Sequence, residues 1–164
     1  MEDVRKSKGD YYLDIADMVS KRSTCLRRHY GAVIVKNDEI VATGYNGAPR
    51  GDTNCIDIKY CEREAQGVAH GERYELCKAV HAEANAIISA SRSDMIDSTL
   101  YLSGTDFKDN LIDARPCDMC MRLIKNAGIM KIIQRNADNT ICVTDVRGLA
   151  VLNALKDIFK DEDE

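Results

Sequence analysis

The sequence predicts an α/β fold with one sheet and helices packed on both of its faces. Segments with a period near 3.6 alternate with short apolar runs rich in β-branched residues, in the order α-β-β-α-β-α-β-β-α. A chain of 164 residues, 45% of them hydrophobic, can bury one α/β core and is short for two. With no Trp, two Phe and seven Tyr, its interior must be filled largely by aliphatic side chains. Residues 1–164 are therefore read as a single domain ending in a short acidic tail.

Each element follows from the local pattern. Residues 10–22 place Tyr12, Ile15, Ala16 and Val19 on one helical face. Gly31 to Val35, a polar Lys36 to Glu39 turn, and Ile40 to Thr43 read as a β-hairpin with one well-buried strand. Residues 44–73 carry little periodicity, and a loop of that length is usually functional or disordered. Metal binding would give it the order that apolar packing cannot. Residues 81–92 are helical, Leu100 to Leu102 form a strand, and 117–128 form a helix stopped by Gly128. Ile129 to Ile133 and Thr140 to Val143 are two more strands, and 145–160 make a last amphipathic helix. The tail at 161–164 is a solvated charge run that frays.

Composition narrows the function. The formal net charge of −4 argues against a partner that is a polyanion, which calls for a basic face. No apolar run approaches the ~18 residues of a membrane helix, and the start MEDVRKSKGD has no signal-peptide core. The expected location is the cytoplasm, where thiols stay reduced. There, seven cysteines point to metal before disulfides.

Two stretches carry the chemistry: His81-Ala82-Glu83 and Pro116-Cys117-Asp118-Met119-Cys120. One imidazole and two thiolates make three zinc ligands and leave a fourth tetrahedral position open, as in catalytic sites. Cys117 and Cys120, three apart at a helix start, project both sulfurs from one face. Pro116 suits the helix entry, and a helix N-terminus favours thiolate over thiol. Zinc lowers the pKa of a bound water from about 15.7 to about 7. At ~1.36 kcal/mol per unit that is roughly 12 kcal/mol toward hydroxide. Glu83 is placed to act without being a ligand, as the base and then the acid of one turnover. H-x-E followed by P-C-x-x-C is the signature of zinc nucleobase deaminases.

With these residues the chain resembles the deoxycytidylate (dCMP) deaminase branch of the zinc cytidine deaminase superfamily. The likeness covers roughly residues 10–143. It rests on Gly31 to Val35, on Thr43-Gly44-Tyr45-Asn46-Gly47-Ala48-Pro49-Arg50-Gly51, on His81 to Ile87, and on Pro116 to Cys120. The resemblance implies a cytidine-deaminase-like three-layer sandwich around a mixed five-stranded sheet. It implies conversion of dCMP to dUMP and ammonia, with a pyrimidine nucleotide as the small-molecule partner. Asn46, Gly47, Pro49 and Ala82 would bind substrate, and Arg92 would meet its phosphate. Arg50 and Arg115 are further cations near the motifs. The resemblance also implies a second, structural zinc held by Cys25, Cys55, Cys77 and either Cys61 or His70, with Cys61 preferred because thiolates suit a closed site. Cys142 belongs to the core. Finally it implies a homo-oligomer, dimer to hexamer, and effector roles for dCTP and dTTP.

One stretch departs from the family: Ser103 to Arg115 lies between the third strand and the P-C-x-x-C segment, as an insertion able to act as a lid. Two other readings stand beside the main one. One is a deaminase of another free cytosine nucleotide or nucleoside, or of a base within tRNA or single-stranded nucleic acid, the last of which would draw on Lys21, Arg22, Arg27 and Arg28. A zinc-stabilised binding module would place no demand on Glu83.

Overall fold

In the computed structural model, which describes residues 5–148, the chain opens with helix α1 at Lys8–Ser20. It begins two residues earlier than periodicity suggests because the Ser7 hydroxyl caps it, accepting from the Asp10 amide at 3.1 Å. Strands β1 (Arg28–Lys36) and β2 (Glu39–Tyr45) follow as an antiparallel hairpin. Asn37 and Asp38 sit between them with φ of 52° and 65°, the two left-handed positions that give a turn matching strand twist. Asn and Asp are the side chains that tolerate that region best.

The loop region expected at 44–73 holds two single-turn helices, α2 (Cys55–Ile58) and α3 (Glu62–Ala65), and a 3-10 turn at Tyr74–Leu76. Helix α4 (Ala82–Ile88) is shorter than the expected 81–92 segment. Ser91 ends that segment by capping a separate turn, α5 (Arg92–Met95). Strand β3 (Thr99–Asp106), helix α6 (Asp118–Ala127), β4 (Lys131–Arg135) and β5 (Ile141–Asp145) complete the described elements. Gly128 ends α6 at φ 87°, in the left-handed conformation that glycine adopts at no cost. From residue 149 onward the expected last helix lies outside the described residues, as does the acidic tail.

The strands order as β2-β1-β3-β4-β5, with β3 and β4 parallel and the other pairs antiparallel. Alternation along the strands divides the core into two. Ala32, Ile34, Leu100, Leu102 and Ile132 pack with Ala82 and Ala86 of α4 and Ile124 of α6. Val33, Val35 and Tyr101 pack with Tyr12, Leu13 and Ala16 of α1. The result is a three-layer sandwich on one mixed five-stranded sheet.

The Ser103 to Arg115 stretch is no simple insertion. Its first four residues extend β3, pairing with β1 from Gly31↔Ser103 to Arg28↔Asp106. The polar Ser103 is accommodated there because its hydroxyl donates to Asp17 of α1. The Asp17 carboxylate also accepts from Arg135 at 2.5 Å, and Asp14 accepts from the same guanidinium at 2.9 Å. Beyond β3, Asp106 closes a tight turn by accepting from the Lys108 and Asn110 amides. The chain then folds back, and the Ile112 amide donates to the Gly104 carbonyl.

Gly44 sets the distance between sheet and helix. A Cβ built there overlaps the Ala82 carbonyl oxygen and the Ala86 amide nitrogen, both backbone atoms of α4. Gly44→Ala must therefore push back the helix that begins at His81. The expected cost is about 1–3 kcal/mol or more of overpacking, read as a lower melting temperature together with weaker zinc retention.

On the other face, the Tyr12 hydroxyl donates to the Asp38 carboxylate at 2.7 Å, and this bond, aided by burial, pushes its pKa up to about 12. The folded state thus keeps its proton where an unfolded tyrosine, near 10, loses it. The stabilisation is complete below pH ~10 and is lost as pH rises toward about 12. Tyr12→Phe is expected to flatten that alkaline decline in chemical-denaturation curves taken across the interval.

Candidate active site

Helices α4 and α6 lie side by side on one face of the sheet and begin at the same end. His81 occupies the N-cap of α4 and Cys117 the N-cap of α6. His81 Nδ1 lies 3.4 Å from Cys117 Sγ and 3.4 Å from Cys120 Sγ. Among the described residues, these three are the group whose potential metal-ligand atoms all fall within 4.8 Å of one another.

The spacing fits zinc. Zn–N near 2.0–2.1 Å and Zn–S near 2.3 Å in a tetrahedron would separate nitrogen and sulfur by about 3.5 Å. The charges fit as well. The Cys117 thiol is lowered to about 4, chiefly because the Cys120 thiol donates to it, with a further contribution from His81. Cys120 is pushed far upward by its neighbouring Cys117 thiolate and by burial. Two thiolates cannot share this spot without a compensating charge, and a dication supplies it.

Glu83, 5% exposed, sits in the first turn of α4 beside them. Burial pushes its carboxyl above the ordinary range. A group so placed holds a proton more readily than a free glutamate, as a proton carrier should. The His81 ring is also fixed from outside. The Tyr74 ring meets it edge-on with centroids 4.8 Å apart, and the Arg63 guanidinium lies 4.8 Å over Tyr74.

These groups open into a cavity of about 480 Å³. Its wall carries Arg27, Arg28, Arg63 and Arg115, besides Asn46, His70, Ala82 and Asp118. Arg27 Nη1 and Arg63 Nε are buried without a hydrogen-bond partner. Arg63 itself is only 7% exposed. A buried guanidinium with a donor left over is costly, and an anion would satisfy it.

The residues singled out from sequence fall into place unevenly. Asn46 and Ala82 line the cavity. The Asn46 side chain also staples the chain, accepting from the Tyr30 amide at 2.8 Å and donating to the Arg28 carbonyl at 2.9 Å. Gly47 and Pro49 lie outside the cavity wall. Gly47 exchanges two backbone hydrogen bonds with Val80, and the Pro49 carbonyl accepts from the Asp52 amide. Arg92 is not on the cavity wall. Because the helix stops at Ile88, it sits on α5 away from the cavity and donates to the Asn126 carbonyl at 2.9 Å. Arg50 is exposed and off the wall, whereas Arg115 stands on it.

Cys25, Cys55, Cys61 and Cys77 gather in one neighbourhood. The Cys55 thiol is raised by burial and then by the nearby Cys25, Cys61 and Cys77. No three of them bring their sulfurs as close together as the first group does. His70 lines the same cavity as Cys25, Cys61 and Cys77, its pKa lowered by burial and by Arg28, Arg63 and Arg27. Sequence reading passed over Arg63 and Tyr74, since a four-residue helix and a 3-10 turn have no period to betray a buried side. It grouped Arg27 and Arg28 as a surface patch, although their place just before a buried strand was the available clue.

Comparison with known proteins gives the same picture. The family model for the cytidine and deoxycytidylate deaminase zinc-binding region matches residues 6–135. The deoxycytidylate deaminase of Mycobacterium phage D29 is 37% identical over 129 residues, covering 76% of this chain and 91% of the relative. That of Schizosaccharomyces pombe is 32% identical over 135 residues, covering 82% of this chain but only 39% of the relative. The dCMP deaminase from cyanophage S-TIM5, solved in complex with dCMP and dUMP, superposes with a TM-score of 0.59 at 30% identity, over 80% of this chain and 85% of that one. The chain therefore belongs to the cytidine and deoxycytidylate deaminase family of zinc-binding proteins.

Proposed function

We propose that the protein hydrolyses dCMP to dUMP and ammonia, with His81, Cys117 and Cys120 holding a catalytic zinc and Glu83 moving the protons. The observation that carries this reading is the meeting of a three-ligand, zinc-sized site with a buried glutamate inside a cavity walled by arginines. Zinc held there would supply Lewis-acid activation of a water. Glu83 takes one proton from the water that attacks C4 of the cytosine ring and delivers it to ring N3, then takes the second from the resulting C4 hydroxyl and delivers it to the departing amino group. The water oxygen stays as the C4 carbonyl and the nitrogen leaves as ammonia. Tyr74 keeps the His81 ring in place. Asn46 and Ala82 border the nucleoside, and the orphaned donors of Arg27 and Arg63 receive the 5′-phosphate.

A deaminase of tRNA or single-stranded DNA is the weaker reading, because Arg27 and Arg28 line the cavity instead of forming an outer track for flanking phosphates. The test is ammonia release from dCMP, CMP, deoxycytidine and a tRNA anticodon stem-loop. dCMP is expected to be the preferred substrate. Turnover of the stem-loop in place of dCMP would overturn the assignment.

The same proposal includes a second, structural zinc on Cys25, Cys55, Cys61 and Cys77. The mutual proximity of the four thiols supports it, and the arginine surroundings of His70 favour Cys61 over His70. Elemental analysis should then find two zinc ions per chain, and one in Cys55→Ala. Assembly into a homo-oligomer, dimer to hexamer, is supported by exposed Ile88 of α4 and Met119 and Leu123 of α6. Effector roles for dCTP and dTTP and a cytoplasmic location complete the reading. No helix among the described residues is long and apolar enough to cross a membrane.

A further inference from the structure

Tyr30 is a wall residue of the zinc cavity to which the chemistry above gives no task. It stands on β1 with Ala32 and Ile34, on the sheet face that carries α4 and α6. Both neighbouring strands hold it in place. On the β2 side, its amide donates to the Asn46 side-chain oxygen at 2.8 Å, and its carbonyl accepts from the Asn46 amide at 3.3 Å. On the β3 side it pairs with Gly104, where an added Cβ would lie 2.5 Å from the Tyr30 ring. The missing side chain at Gly104 lets the ring lie across β3.

The Asn46 side chain is spent on this arrangement. Its oxygen takes the Tyr30 amide and its nitrogen donates to the Arg28 carbonyl. The Tyr30 hydroxyl is what remains to face the cavity at that level. Burial raises its pKa, the Arg28 guanidinium opposes this by donating to it, and the charge of Glu83 adds to burial. The hydroxyl thus lies between the proton carrier and the arginine wall. In a 5′-nucleotide, the group between base and phosphate is the sugar.

The other polar groups of the wall are engaged elsewhere. Asp118 opens α6 between the two zinc thiols. Cys25 Sγ accepts from the Arg27 amide at 3.4 Å, and Cys25, Cys61 and Cys77 gather round Cys55. Tyr74 packs on His81, and His70 lies among Arg28, Arg63 and Arg27 at the phosphate end. A guanidinium has no acceptor, so Arg28 uses only a lone pair of the Tyr30 hydroxyl and leaves its proton available.

We infer that Tyr30 reads the sugar, its hydroxyl donating to the 3′-oxygen of deoxyribose while Arg28 holds the phenol in place. This rests on the assignment of the zinc cavity as the nucleotide site and adds a specificity-determining residue to it. A nucleotide without the 3′-oxygen leaves that donor unmet, a mismatch that sites built to hydrogen-bond their substrate reject.

The test compares kcat/KM for dCMP and for 2′,3′-dideoxycytidine 5′-monophosphate on the zinc-loaded protein. Wild type is expected to favour dCMP by at least about tenfold, or 1.4 kcal/mol, within what one hydrogen bond contributes. Tyr30→Phe keeps the ring and its packing, and is expected to bring the ratio near one by lowering dCMP turnover alone. Gly104→Ala keeps the hydroxyl but displaces the ring, and is expected to cut the same ratio. Equal use of both nucleotides by wild type overturns the inference and leaves dCMP deamination standing. So does a ratio that survives in Tyr30→Phe, including a loss there that strikes both nucleotides alike. If neither nucleotide is turned over, the dCMP reading fails. Calorimetric titration of the two nucleotides, on wild type and Tyr30→Phe, then decides the sugar contact by the same ratio, and an absence of dCMP binding overturns it as well.

Discussion

Glu83→Gln is expected to lower kcat for deamination by about 10²–10⁴-fold, the range of a positioned general acid–base group, while zinc content stays at the wild-type level. The carboxyl touches the ligand cluster without completing it, so the amide preserves volume and site but cannot carry the proton. The substitution is not expected to unfold the protein. Glu83 is 5% exposed and burial already disfavours its charged form, which the amide removes altogether. Melting temperature at or above that of the wild type, with zinc bound and turnover gone, is the anticipated combination. Loss of zinc along with activity would assign Glu83 to the ligand set.

Cys117→Ser is expected to abolish zinc retention and activity together. With one of three protein ligands gone from a site of this class, zinc affinity should fall by at least about 10²-fold, a modest fraction of the roughly 10–16 kcal/mol typical of thiolate-rich sites. The lowered pKa of about 4 gives a second, independent readout. In metal-free protein the Cys117 sulfur is thiolate throughout pH 5–7, so alkylation there should be fast and nearly independent of pH. An ordinary thiol would speed up about tenfold per unit over the same interval. Zinc should protect Cys117, and mass mapping of the modified peptide distinguishes the cases.

Much of this site was legible in the sequence because its chemistry is local. His81 and Glu83 are two residues apart, Cys117 and Cys120 three apart, and each pair begins a helix whose apolar period is visible. The hairpin at Asn37-Asp38 and the stop at Gly128 are legible for the same reason, since both depend on backbone conformations that few residues favour. Other features depend on distant partners. Ser103 to Asp106 has little strand character of its own and extends β3 because β1 runs beside it and Asp17 takes up the Ser103 hydroxyl. Arg92 was counted along a helix that ends early at Ile88, which carried it from the cavity to α5. Arg63 lies in a four-residue turn where no period marks a buried side, and only the tertiary fold brings it over Tyr74 and into the wall.

The central claim is that zinc on His81, Cys117 and Cys120 drives dCMP deamination. The most direct measurement is to strip the protein of metal, restore zinc in steps, and follow dUMP and ammonia formation from dCMP at each step. Wild type should be inactive when stripped and should regain activity in proportion to zinc until the catalytic site is full, while Cys117→Ser should not recover. Undiminished dCMP turnover by the metal-free protein, or none by the fully zinc-loaded one, would contradict the account.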